Sequence, residues 1–352
     1  MRVKLKDITK FSKGTQINGK NLIEDGAYSY LNGGINPSGK WNEFNVAENT
    51  VTISEGGNSS GYVNYMNEAF WCGAHCYYLY DGPKNSKYLY YALKSQQERL
   101  FRIRSGACMP NIKKSDLGNF IIEYEEDETR QEEVVKVLEK CELLIEDYNK
   151  KLALLDEAVR ARFMEMFSDN HNELIRLADV CTKITDGTHK TPNYLSEGIT
   201  FISAKNIVKN KLDFSDVKYI SKDEYQEIQK RCQTEFNDIL LSKSGSLGTP
   251  VIVKTDKKLG LFESLAVLKY DRSKLVPEFL CEQLKSEEIQ RQFKVGVKGV
   301  AIKHLHLGVI GNVKIIVPPL ELQNQFASFV KAIDKSRLLS NHSLFLIKSI
   351  TF

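Results

Sequence analysis

Two sets of loop residues carry side chains that could recognise a polymer. Lys13, Gln16, Asn18, Lys20, Asn32, Asn36, Ser38, Lys40 and Trp41 lie near the start of the chain, and Lys183, Asp186, Gly187, His189, Lys190, Lys205, Asn206, Lys243 and Ser246 lie past its midpoint. Asparagine and glutamine amides match the adenine edge, lysine ammonium groups match guanine or phosphate, and small residues let the backbone come close. Lys113 and Lys114 beside one turn, with Lys298 and Lys303 at its twin, suit a phosphate clamp better than base reading. Surface loops are polar in any case, so a plain solvated surface is the competing reading.

Catalytic chemistry finds less support. GTQINGKN, residues 14–21, approaches the phosphate-binding pattern G-x-x-x-x-G-K-[ST], but it ends in Asn21, which has no hydroxyl to hold magnesium. Cys72, His75 and Cys76 could hold zinc, yet a fourth ligand is missing and FWCGAHCYYLY reads as one buried aromatic strand. His189 and His304 have no serine or cysteine nucleophile at a recognisable spacing. A glycine fingerprint followed by an acidic residue, the mark of a dinucleotide or adenosylmethionine site, is also missing. The residues describe a reader without a metal or cofactor of its own.

The elements that must position these loops occur twice. Gly106, Ile112, Leu117, Gly118 and Asn119 return without a gap as Gly299, Leu305, Ile310, Gly311 and Asn312, an offset of 193 residues. Nearer the start, Val3, Leu5, Asp7, Ile8, Gly14 and Thr15 answer to Ile175, Leu177, Asp179, Val180, Gly187 and Thr188. NTVTISEGG (49–57) answers to NDILLSKSG (237–245), and Leu89, Leu93, Lys94 and Ser95 to Leu280, Leu284, Lys285 and Ser286. So long a period is a duplicated domain plus a helix, not a solenoid unit.

Each copy reads as short strands, such as 50–54, 76–79, 120–124, 239–242, 251–254 and 313–317, with turns rich in Gly, Asn and Ser between them, including LNGGINPSGKW (31–41) and SEGGNSSGYV (54–63), and helical cover at 88–103 and 276–293. A long helix follows each. Across 129–167, Val134, Leu138, Cys141, Ile145, Tyr148, Leu152, Leu155, Val159 and Met166 fall at alternating steps of four and three, interrupted by Arg162. At ~1.5 Å per residue such a helix is too long for one small domain to cover and calls for another helix. Its twin opens near Glu321 after Pro318 and Pro319, carries Phe326, Val330, Ile333, Leu344 and Ile347, and is shorter by roughly two turns. The organisation expected is a recognition domain over 1–127, a central helix over 128–168, a second recognition domain over 169–319 and a C-terminal helix over 320–352. The fold class expected is mixed α/β (α+β), two pseudo-symmetric globular domains separated by two long antiparallel coiled-coil helices.

Composition fits this plan. The 352 residues, 42% of them hydrophobic, can fill two cores, and no apolar run approaches the ~18 residues of a membrane helix. MRVKLKDITK lacks an apolar signal region, and seven cysteines without a framework suit a reducing cytoplasm, so a cytoplasmic protein is expected. The net charge of +4 is too mild to argue for nucleic acid by itself.

ITDGTHKTPNYLSEGITFISAKNI (184–207), the PPLELQ lead-in at Pro318, the helix closing on MEMF at Phe167 and the tandem plan together resemble the specificity subunit of type I restriction-modification systems over essentially the whole chain. The first-copy counterpart KGTQING lacks the aspartate, the histidine and the proline of DGTHKTP. The resemblance implies two target-recognition domains, each reading one half of a split, asymmetric duplex DNA site, with the two helices as the ruler between them. It also implies no catalysis by this chain. Two methyltransferase subunits and further restriction subunits would join it, with S-adenosylmethionine, ATP and Mg2+ on those partners. The alternative is a coiled-coil scaffold that never touches DNA, which would ignore duplex at every salt concentration.

Overall fold

Runs of two to six residues, several of them buried along their whole length, form short strands throughout a computed structural model that describes residues 1–106, 108–168, 173–208, 210–297 and 304–351. Lys298 and Lys303, and the repeat position Gly299, lie outside the described residues. The described residues divide into two compact units, Met1–Asn149 with Asn341–Phe352, and Lys150–Ser340.

In the first unit, strands Lys10–Lys13, Cys76–Tyr80, Thr50–Ser54 and Val63–Met66 lie side by side in that order, all antiparallel. A three-stranded sheet places Tyr28–Leu31 between Gly39–Trp41, antiparallel, and Phe70–Cys72, parallel. Arg2–Lys4 pairs with Ile121–Glu123. The second unit repeats these strands in the same order and adds one two-stranded sheet, Ile207–Val208 with Lys211–Leu212: Cys181–Asp186, Leu265–Tyr270, Ile239–Ser242 and Pro250–Ile252 make the four-stranded sheet. Ile199–Ile202 lies between Lys218–Ile220, antiparallel, and Leu259–Leu261, parallel. Leu174–Arg176 pairs with Lys314–Ile316. The mixed fold and the duplication expected from sequence are both present.

Backbone details are repeated as well. Asn49 and Asn237, at matching positions ahead of matching strands, both adopt left-handed conformations (φ 56° and 69°), which asparagine tolerates better than branched residues do. Leu5 and Leu177 are wholly buried, and their amides donate to Phe120 O and Val313 O at 2.9 and 2.8 Å.

Three sequence expectations need correction. FWCGAHCYYLY is two strands in different sheets, because the chain turns at Gly73. LNGGINPSGKW is not all turn, since Gly39–Trp41 pairs with Tyr28–Leu31. Each helical cover is two helices: Ser86–Lys94 with Gln97–Arg102, and Pro277–Lys285 with Glu287–Gly296. The second break falls at Ser286, whose extended backbone lets its hydroxyl cap the following helix by accepting from Ile289 N.

The long helices are Glu128–Phe167, 40 residues, and Leu320–Thr351, 32 residues. The buried stripe follows the expected seam except at Val134, which is 42% exposed, while its neighbour Val135 packs against the first core. A buried glutamine anchors each helix near its start. Gln131 donates to Tyr124 Oη and Glu125 O, and Gln323 donates to Lys274 O and Pro318 O while accepting from Val276 N. In the second unit Phe163, Phe167, Phe279 and Phe326 form one aromatic cluster with centroids 4.8–5.7 Å apart. Phe163 and Phe167 are thus core residues. Asp156 meets Arg337 at 2.6 Å, so within this unit the segments after Lys150 and up to Ser340 run antiparallel.

Candidate nucleic-acid interface

The motifs KGT and DGT occupy the same place in their units. Each follows a four-stranded-sheet strand and crosses to the end of the parallel strand of the smaller sheet, where Thr15 N donates to Cys72 O and Thr188 N to Leu261 O, both at 2.9 Å. A Cβ on Gly14 would stand 1.9 Å from Cys72 O, and one on Gly187 2.1 Å from Leu261 O. The glycine is therefore required by close backbone approach. It is not part of a phosphate loop, because beyond Gly14 the chain forms a single short 3-10 turn, Gly19–Asn21, capped by Asn18 Oδ1 accepting from Lys20 N.

The residue before each glycine, at the end of the outer strand, faces the residue just past the third strand of the same four-stranded sheet. Lys13 meets Glu55 at 2.7 Å, and Asp186 meets Lys243. The surrounding backbone is the same in both: Glu55 N and Lys243 N donate at 2.8 Å to His75 O and Ser264 O, and Glu55 O and Lys243 O accept at 2.9 Å from Ile112 N and Leu305 N. The charges are reversed between the two copies.

More groups join each pair. In the second unit Asp186 also accepts from the Arg231 guanidinium, and His189 stands with Nε2 3.3 Å from Asp186 and Nδ1 2.6 Å from Glu263. The Asp186 and Lys243 side chains are 3% and 4% exposed, whereas Arg231 and His189 are 54% and 53% exposed. Burial pushes the Asp186 carboxyl up, but the bonds from Lys243 and Arg231 more than reverse it, leaving it below the usual aspartate value. Burial and the nearby Lys243 ammonium hold His304 below the ordinary imidazole value. In the first unit the half-exposed groups are Lys13 and His75, the latter 3.4 Å from the mostly buried Glu55.

The remaining candidates divide by what they touch. Asn206 is buried, with its side-chain oxygen accepting from Ser203 N and its amide donating to Asp213 O and Asp216 O. Lys183 closes the C-terminus of helix Lys222–Arg231 by donating to Arg231 O at 2.7 Å. Lys205 pairs with Asp216, and Asn32 accepts from His75 N. Gln16 bonds its neighbour Ile17 O. Trp41 packs edge-on to Trp71, and Lys114 lies over Phe11. Lys20, Asn36, Ser38, Lys40, Lys113, Lys190 and Ser246 are exposed. Three polar positions read from sequence as loop surface, Asp186, Asn206 and Lys243, are buried.

Cys72 and Cys76 are buried, and Cys72 Sγ donates to Cys76 O; Cys76 beside it, together with burial, pushes the Cys72 thiol up. His75 faces Glu55 instead. Among the described residues no group of three or more candidate ligands converges, and no helix is long and apolar enough to cross a membrane.

Sequence reasoning missed Glu55, Arg231 and Glu263. The first was findable, because aligning SEGG with SKSG sets Glu55 against Lys243 while KGT sets Lys13 against Asp186.

Comparison with known proteins matches the family model described as type I restriction modification DNA specificity domain over residues 1–156 and again over 170–347. A protein named as a type I specificity subunit in Mycoplasma pneumoniae is 36% identical over 149 residues, 42% of this chain and 40% of that protein. A specificity subunit from Methanocaldococcus jannaschii is 22% identical over 269 residues, 70% of this chain and 63% of its own length. The chain thus matches about two fifths of the first of these relatives. The crystal structure of a type I restriction-modification S subunit from M. genitalium shares the fold at a TM-score of 0.64 and 21% identity, covering all of this chain and 93% of that one.

Proposed function

The chain belongs to the type I restriction-modification DNA specificity family, and from that premise we propose that each unit reads one half of a bipartite, asymmetric duplex site. The observation that carries this reading is the double match of the specificity-domain model onto two units that repeat one strand order with different loops. A repeated framework supplies equivalent binding faces, and divergent loops supply different sequence preferences.

On this reading the chain recognises and does not catalyse. Adenine methylation and cleavage fall to two methyltransferase subunits and to restriction subunits, which carry S-adenosylmethionine, ATP and Mg2+. The exposed apolar residues of the long helices, among them Leu143, Leu154, Leu338 and Phe345, give those subunits a surface to dock on.

The test is to express the chain with its methyltransferase partner and sequence the modified bases. Exchanging residues 12–40, which hold the first unit's polar loops, for a foreign segment is expected to change one half of the methylated motif and leave the other intact. Changes in both halves, or no modification that depends on this chain, would overturn the proposal.

A further inference from the structure

A structural ion pair at the end of a strand needs opposite charges, and either member can lie outermost. The features common to the two units are therefore informative. In the first, Glu55 lies inside and Lys13 and His75 face water. In the second, the reversed pair Asp186–Lys243 is wholly buried and would leave no cation at the surface. There Arg231, the last residue of helix Lys222–Arg231, reaches over to the same carboxylate, and His189 joins it. Among the described residues the first unit has no helix between Gly39–Trp41 and Thr50–Ser54, the place that corresponds to Lys222–Arg231. A buried carboxylate beneath exposed cations is thus rebuilt from non-equivalent residues beside the same glycine turn.

We propose that the outward cations Lys13 in the first unit and Arg231 in the second, with the imidazoles of His75 and His189 beside them, contact the DNA duplex, Lys13 and Arg231 each held in position by the carboxylate beneath it. The inference rests on the DNA-reading function proposed above and names the point of grip. A guanidinium fixed by one carboxylate oxygen keeps further N–H groups free and surrenders less side-chain freedom on binding. Its complement is a pair of adjacent acceptors, found on a phosphate and on the O6/N7 edge of guanine. Asp186 and Glu55 act as positioning residues.

The experiment uses the full chain assembled with its methyltransferase subunits and a duplex carrying its methylated motif, titrated across salt concentrations. Arg231→Ala and Lys13→Ala are each expected to weaken binding on the order of 10- to 100-fold. Arg272→Ala, which removes another half-exposed arginine of the second unit, is expected to bind as the unaltered chain does. A slope of log K against log salt that becomes shallower by ~0.9 assigns a phosphate. An unchanged slope with one relaxed position, confined to the half-site of the altered unit, assigns a guanine. Arg231→Lys should recover much of a phosphate contact and little of a guanine one. Unaltered unfolding midpoints for Arg231→Ala and Lys13→Ala separate lost contact from lost fold. Unaltered affinity and motif in both variants, with the original chain binding normally, would sink this inference and leave the DNA-reading function standing. Absence of duplex binding by the original assembly would sink both.

Discussion

Asp186 is almost wholly withdrawn from water and is neutralised by Lys243 and Arg231, so removing its charge strands a buried ammonium. Asp186→Asn is expected to cost the second unit about 3–5 kcal/mol, read by chemical denaturation. The same pair sets an acid dependence. The folded pKa of Asp186 lies below the unfolded value of about 3.9, so its contribution is complete above that pH and fades as pH falls through the lowered value. Asp186→Asn should remove that part of the acid limb; a variant with an unchanged acid limb would show that other carboxylates set it. Gly14 and Gly187 make a second prediction. Alanine at either pushes a methyl group into a carbonyl of the adjacent sheet, and each substitution is expected to cost its own unit about 1–3 kcal/mol or more. Wild-type midpoints would show that the turn yields.

Among the elements, the long helices were legible in detail because a period near 3.5 is written in consecutive residues. The half-buried stripe through Leu138, Cys141, Ile145, Tyr148, Leu152 and Leu155 is the one read from the chain. The displacement to Val135 at the start has a local cause, since the helix there packs on the first core and not along a helical seam. Strands such as Lys10–Lys13 and Tyr28–Leu31 were not legible, because four residues carry too little alternation to stand out from a loop. What fastens the C-terminal helix is the aromatic cluster, with Phe326 fully buried against Phe163, Phe167 and Phe279. Phe326→Ala is expected to destabilise the second unit by about 3–5 kcal/mol while leaving the first unit's transition in place, measured with a probe in each unit. A coincident loss in both would mean that they unfold together.

For the whole molecule, helix Glu128–Phe167 is unbroken across the division between the units, which falls between Asn149 and Lys150. If each unit reads a half-site, the length of this helix sets the unread spacer between them. Inserting four residues after Lys150 is expected to change the number of spacer base pairs in the methylated motif and to leave both half-site sequences as they are. A spacer of constant length after insertion would separate the helix from that role.

The chain by itself determined that one domain occurs twice and that each copy ends in a long amphipathic helix, because both are patterns of spacing along the sequence. Only the tertiary structure decided which charges meet. Asp186 and Lys243 are 57 residues apart and Lys13 and Glu55 are 42 apart. They meet because the outer strand and the third strand of each sheet end at the same edge, and strand order is settled by packing over the whole domain. The exchange of acid for base between the copies is visible in the aligned letters, but that it buries Lys243 and leaves Arg231, not the exchanged lysine, as the outer cation of the second unit is decided by burial alone.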